Sequence, residues 1–206
     1  DIKIKNMLSL KDSLAVLKKT NALLEGHFIL SSGLHSPQYV QCAKLLSYPH
    51  LSKNFCISLS KKIKKKFKKF DLILSPAMGG IVIGYEIGRL LKKETIFCER
   101  VNGKFVLRRG FQIKKNSKVL IIEDVITTGK SSLECVKLIK KYKAKIIGFA
   151  CLINRSNKNS LKIKNNNIVS QIKLEVPTFK TKDVPSSLKK IPITKPGSRF
   201  LKWVLD

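Results

Sequence analysis

Val119 to Ser132 reads VLIIEDVITTGKSS. An apolar run, two carboxylates and a cluster of hydroxyls around one glycine describe a buried strand that ends in charge and turns into a helix. The closing GKSS could belong to a nucleotide-binding P-loop, but that loop needs another glycine five positions before Gly129, so that the backbone can wrap a polyphosphate. Asp124 stands there, beside Glu123. Two carboxylates would repel a triphosphate, which excludes the P-loop. The free amides at a helix N-terminus suit one phosphate monoester, with Gly129 letting the backbone come close and Thr127, Thr128 and Ser131 donating. Adjacent carboxylates can each accept a hydrogen bond from a vicinal diol, so the stretch suits a ribose 5-phosphate. A magnesium-binding acid pair, or an ordinary strand-loop-helix turn, is the alternative.

The flanking sequence keeps a regular rhythm from Asp71 onward. DLILSP is a short strand, AMGG a turn and IVIGYEIGRLLKK a helix. ETIFCER is a strand, VNGKFVLRRG a polar stretch, and KVLIIED a strand. SSLECVKLIKKY is a helix and AKIIGFACLI a strand. Apolar strands alternating with helices predict an α/β fold, a parallel sheet covered on both faces, with ligands beyond the carboxyl ends of its strands. Upstream, Ser9 caps a helix carrying Leu10, Leu14 and Leu17 at helical spacing, and Gly26 is its expected stop. HFIL then reads as a strand, SSGLHSPQ as a turn, and Leu51 to Phe67 as a helix. Asn154 to Asn167 reads as a polar surface excursion. The tail, with Pro177, Pro185, Pro192 and Pro196, reads as irregular.

With 206 residues, 43% of them hydrophobic, the chain can bury the core of one domain. No apolar run reaches the length of a membrane span, and the N-terminus lacks the apolar centre of a signal peptide. Five scattered cysteines, none in a CxxC spacing, fit a reducing cytosol and small buried side chains better than disulfides or zinc. The net charge of +29 admits an anionic partner. Its lysines are spread along the chain, and in Lys61 to Phe70 they cover the face opposite Ile63, Phe67 and Phe70. A solvated face is therefore preferred to a nucleic-acid surface, since arginines interleaved with aromatics are lacking.

VLIIEDVITTGKSS resembles the 5-phosphoribosyl diphosphate (PRPP) signature of the type I phosphoribosyltransferases, and four other stretches resemble the orotate phosphoribosyltransferases among them. FILSSGLHSPQYVQ (Phe28 to Gln41) is similar to their N-terminal orotate segment and LSPAMGGIVIGYEI to their pyrophosphate loop. FCERVNGKFVLRRGF resembles the mobile catalytic loop of the shorter bacterial members, and INR places Arg155 where the family has an arginine that contacts orotate. KPGSR (Lys195 to Arg199) is also familiar from those members. A fused decarboxylase domain, as in the two-step enzyme, is not expected.

The resemblance implies the type I phosphoribosyltransferase fold in a single domain. Its parts would be a small N-terminal hood over about residues 1–50, a PRPP-binding core over about 70–155 and an irregular C-terminal part over about 156–206. It implies transfer of phosphoribosyl from PRPP to orotate in pyrimidine synthesis, with magnesium held mainly by PRPP and no protein metal site, and a cytoplasmic homodimer with shared sites. Lys104, Arg100 and Asp124 would be catalytic. Arg108, Arg109, Glu123, Val125, Ile126, Thr127, Thr128, Gly129, Lys130 and Ser131 would join them around PRPP. Ala77, Met78, Gly79 and Gly80 would form the pyrophosphate loop, and Thr127, Arg155 and Tyr39 would take orotate. The chain departs from many relatives in having Gly79 and Ser31 where they have lysine. Its mobile loop lacks their histidine, and Val40 follows Tyr39 where they have a second aromatic.

Each residue also has a plainer reading: Arg108 and Arg109 as a surface pair, His27 and His35 as packing or surface histidines, Met78 as a packing residue, Tyr39 as a core aromatic. The rival functions are a purine-base transferase and a PRPP-sensing nucleic-acid-binding regulator.

Overall fold

The structure is a computed structural model and describes residues 7–30, 33–156, 161–164 and 167–196. Helix α1 (Leu10–Lys19) starts where Ser9 Oγ accepts the Asp12 N–H at 3.1 Å. It ends at Thr20, six residues before the expected stop. Gly26 lies inside strand β1 (Leu23–Ile29), at a register shift between Glu25 and Phe28. The expected turn beyond HFIL is shorter than the sequence suggested, because residues from His35 onward pair with β1 as β2 (His35–Val40). Pro37 is tolerated because β2 is an edge strand and a missing N–H there breaks no ladder.

Helices α2 (Cys42–Leu46) and α3 (Pro49–Lys66) lead into β3 (Leu72–Pro76), α4 (Gly79–Leu91) and β4 (Glu94–Val101). The polar stretch expected after β4 folds back as β5 (Lys104–Val106). Asn102 and Gly103, both at positive φ, make the two-residue turn that matches strand twist. Then come β6 (Lys118–Ile126), α5 (Lys130–Lys141) and β7 (Lys145–Asn154). The tail is less irregular than its prolines imply: it supplies β8 (Ile168–Lys173), a 3-10 turn at Thr181–Asp183, α6 (Ser186–Lys189) and β9 (Ile193–Thr194).

The main sheet has the order β5-β4-β3-β6-β7-β8, parallel except for β5. Apolar residues along β6 alternate between two cores. Leu120 and Ile122 pack with Phe55, Ile83 and Ile87 on the α3 and α4 side, while Val119 and Ile121 pack with Leu138 and Ile139 of α5. A smaller sheet, β2-β1-β9, carries the N-terminal segment and takes its third strand from the tail. Both histidines of this sheet, His27 and His35, are buried and stand 2.7 Å apart, nitrogen to nitrogen. His27 Nδ1 lies 3.3 Å from the Ile191 carbonyl, and His35 Nε2 lies 3.4 Å from Thr181 Oγ1.

Candidate active site

The carboxyl ends of β3, β4, β6 and β7 gather most of the expected site residues. β6 runs through Glu123 and Asp124, as KVLIIED suggested, and on through Val125 to Ile126. Because side chains alternate across a strand, the two carboxylates address different surroundings. Glu123 is buried and accepts a hydrogen bond from Ser132 of α5. Burial pushes its carboxyl up to about 7, against the pull of the Ser132 bond in the other direction. Asp124, half-buried on the other side, accepts the Val125 N–H at 2.9 Å, and burial raises its carboxyl above the usual range. The two carboxylates thus have different partners in this conformation, Ser132 for Glu123 and the Val125 N–H for Asp124.

Asp124 explains Gly79. A Cβ on Gly79 would lie 2.6 Å from the Asp124 carboxylate, so no side chain fits while that carboxylate stays where it is. Gly79 and Gly80 open α4, two residues earlier than the sequence suggested. Ala77 donates its N–H to the Cys98 carbonyl at 2.8 Å, and Met78 is 82% exposed rather than packed.

After β6, Thr127 is exposed and Thr128 half-buried. Gly129 takes φ 70° as the N-cap of α5, a conformation that a side chain resists. Lys130 and Ser131 then form the first turn of α5, whose amides have no intrahelical acceptor. Ile163 covers the turn, since a Cβ on Gly129 would meet it at 2.9 Å, and the Lys162 N–H bonds the Thr128 carbonyl at 2.8 Å.

Arg155 follows β7, its N–H bonded to the Ile126 carbonyl at 2.8 Å. Its buried Nε has no hydrogen-bond partner among the described residues, and burial lowers the guanidinium from its ordinary value. Tyr39 is near enough to Arg155 and Asp124 for their charges to act on its phenol, which burial raises. Its ring lies 5.8 Å from that of Phe28. An unpaired cation, an aromatic and a carboxylate thus meet at one place.

Two cations of the β4–β5 hairpin have acidic partners that their neighbours in sequence do not suggest. Arg100 lies 2.6 Å from Glu134 of α5, donates to the Gly103 carbonyl at 2.8 Å and covers the Phe105 ring at 4.1 Å. Arg109 makes a two-pronged pair with Glu99 at 2.9 and 3.1 Å, which holds Glu99 below the usual carboxylate range. Lys104 and Arg108 are exposed, and their side chains make no hydrogen bond or ion pair among the described residues. Ser132 and Glu134 were missed in the sequence, because only the packing of α5 brings them to Glu123 and Arg100. Ser31 and Gly197 to Arg199 of the KPGSR stretch lie outside the described residues.

Among the described residues no three His, Cys, Asp or Glu side chains gather as a metal cage. That donor set fits magnesium only as a cation shared with substrate oxygens.

Residues 49–186 match the family model of the phosphoribosyl transferase domain. The orotate phosphoribosyltransferase of Erythrobacter litoralis (strain HTCC2594) is 41% identical over 191 residues, 92% of this chain and 97% of that protein. The chain belongs to the orotate phosphoribosyltransferase family. Among solved orotate phosphoribosyltransferases, that of Francisella tularensis is 25% identical, with 82% of this chain and 84% of that one covered at a TM-score of 0.61. That of Aeropyrum pernix, at 21% identity, covers 78% of this chain and 93% of that one at a TM-score of 0.64, a likeness of fold. Within this chain the family model begins at α3, so β1 and β2, which carries Tyr39, precede it and β9 follows it, whereas Asp124, Gly129 and Arg155 fall inside.

Proposed function

We propose that the chain transfers the 5-phosphoribosyl group from PRPP to orotate, forming orotidine 5′-phosphate and diphosphate on the residues described above. The observation that supports the base most directly is the half-buried Arg155 beside Tyr39, its buried Nε without a hydrogen-bond partner among the described residues. A planar fork of donors suits the orotate carboxylate, and Tyr39 offers a face for the pyrimidine, with Thr127 at the rim. A purine has no carboxylate to relieve that buried charge.

The 5-phosphate would sit on the amides of Thr128 to Ser131, at the positive end of α5. Orotate, deprotonated at N1, attacks C1′ as the C1′–O bond breaks, and the electron pair leaves on the diphosphate. Positive charge develops on the ribose ring, where Asp124 stabilises it, and Glu123 contributes in proportion to its ionised fraction. Lys104 and Arg108, the unpaired cations of the hairpin, meet the departing diphosphate first, and Arg100 and Arg109 join once Glu134 and Glu99 release them. Ala77 to Gly80 line the diphosphate side. Magnesium, carried by PRPP, would neutralise diphosphate oxygens.

The apolar face of α4, with Val82 54% and Tyr85 69% exposed, supports a homodimer in which a second copy covers it. Five free, buried cysteines support a reducing compartment, the cytoplasm. Among the described residues no helix is long and apolar enough to cross a membrane. Orotate loss followed by ultraviolet absorbance should require both PRPP and magnesium. Faster turnover of adenine, guanine or hypoxanthine would refute the assignment.

A further inference from the structure

The lysines that look scattered along the chain are collected by the fold. Residues 64–69, 92–93, 114–118 and 140–145 hold fourteen of them. They form the ends of α3, α4 and α5 and the entries to β3, β4, β6 and β7, which are the amino ends of four strands adjacent in the sheet. Lys118 and Lys145 are register partners there, and the Asn116 N–H bonds the Lys143 carbonyl at 3.0 Å. Thirteen of the fourteen are exposed, and among the described residues none has its ammonium paired with a carboxylate, although the Lys118 backbone N–H bonds Asp71 at 2.7 Å. Asp71 and Glu94 are the only acids in these joins.

Cations favour helix C-termini, and three helices end here, which accounts for a few of them. It does not account for residues 114–118, which follow no helix. Nor do PRPP and orotate explain them, because the proposed site lies at the opposite, carboxyl ends of the same strands. Uncompensated charge at this density favours a polyanion, which gains the released counterions. Four strands span roughly 15 Å and the helical layers widen the surface, enough for several phosphates of one nucleic-acid strand.

Two features choose among polyanions. No large exposed hydrophobic side chain lies in these segments to enter a bilayer. Instead a hollow of about 320 Å³ opens between Lys64, Lys68 and Lys93, floored by Phe67, Phe70 and Leu91, with Lys93 Nζ 5.3 Å from the Phe70 ring centre. Such a hollow can take an unstacked base, which a duplex does not offer. We infer that the amino-end pole docks single-stranded nucleic acid through its phosphates, without sequence preference and apart from the transfer site.

The full chain is titrated with a fluorescent single-stranded RNA of mixed sequence, about 20 nucleotides long, at roughly 50 to 200 mM salt. Binding should persist at about 150 mM. The variant Lys65→Gln, Lys68→Gln, Lys115→Gln, Lys143→Gln should weaken it at least about tenfold. The slope of log affinity against log salt should become shallower by up to about 3, at roughly 0.7 for each phosphate no longer neutralised. A control of equal net charge, Lys11→Gln, Lys19→Gln, Lys53→Gln, Lys189→Gln, should weaken it less than about threefold, and orotate turnover should be unchanged in both. Equal loss in the two variants would make binding a matter of total charge and overturn the inference. So would the absence of binding at about 150 mM, tighter binding to phosphatidylserine vesicles, or tighter binding to a duplex of the same length.

Discussion

Glu123 should make this protein less stable as pH rises, and one substitution should remove the effect. Its carboxyl is held at about 7 in the fold against 4.5 in the unfolded chain, because it is buried with one hydroxyl for company. Between those values the folded state binds the proton more tightly. The contribution is therefore complete below about pH 4.5 and disappears as pH climbs through 7. At about 1.36 kcal/mol for each decade, the loss by pH 8 is about 3 kcal/mol. Glu123→Gln keeps the shape and cannot ionise. Wild type and variant should be similar at pH 5, and the variant should be more stable at pH 8. With a urea slope of about 2–3 kcal/mol per molar, its midpoint there should lie about 1 M higher. Taking the difference between the two proteins cancels the other titrating groups. Ser132→Ala should move the wild-type transition to higher pH, because the Ser132 bond favours the ionised form. Urea unfolding at each pH from 5 to 8 is the measurement. A wild-type minus variant difference that stays constant across that range would show that Glu123 titrates in the fold as it does in water.

Asp124→Asn should keep the melting temperature and add about 2–4 kcal/mol to the barrier of transfer, as for the loss of one preorganised charge; kcat/KM near wild type would refute its role. Gly79→Ala should lower kcat through displacement of the Asp124 carboxylate, and combining it with Asp124→Asn should cost much less than the sum; full additivity would uncouple the two. Arg155→Met should raise the KM for orotate more than that for PRPP and leave stability unchanged or improved, since it removes an unpaired buried charge; clear destabilisation would mean that Arg155 serves the fold. Lys104→Ala and Asp124→Asn protomers, mixed until subunits exchange, should regain up to about half of one dimer's activity if the hairpin serves the neighbouring site; exchange confirmed by mass without recovery would place the hairpin in its own subunit's site.

The α/β order and the phosphate turn were legible because period and capping are local. VLIIED can only be a buried strand, and TTGKS can only bend and start a helix. What the sequence hid was long-range or balanced. IVSQIK became β8 although asparagines precede it, because β7 offered an open edge. VNGKFV looked like a loop, yet Asn102-Gly103 is the strongest hairpin signal in the chain. That the two acids face opposite sides follows from strand parity, but the neighbour each meets there, Ser132 or Gly79, comes only from the packing of α5 and α4. The partners of Arg100 and Arg109, Glu134 and Glu99, reach them only through the packing of α5 and the fold-back of the hairpin.

The histidine pair ties the C-terminal segment to the small sheet that carries Tyr39. The Ile191 carbonyl can only accept, so His27 carries its proton on Nδ1, His35 donates from Nδ1 to His27 Nε2, and Thr181 donates to His35 Nε2. All three bonds then run one way, from the 3-10 turn through the orotate segment and back to the tail. That polarity fastens the segment from Thr181 to Ile191 to β1 and to β2, which bears Tyr39. If Tyr39 takes the base as proposed above, removing the segment that carries Thr181 and Ile191 would loosen the orotate site while leaving the first turn of α5 in place.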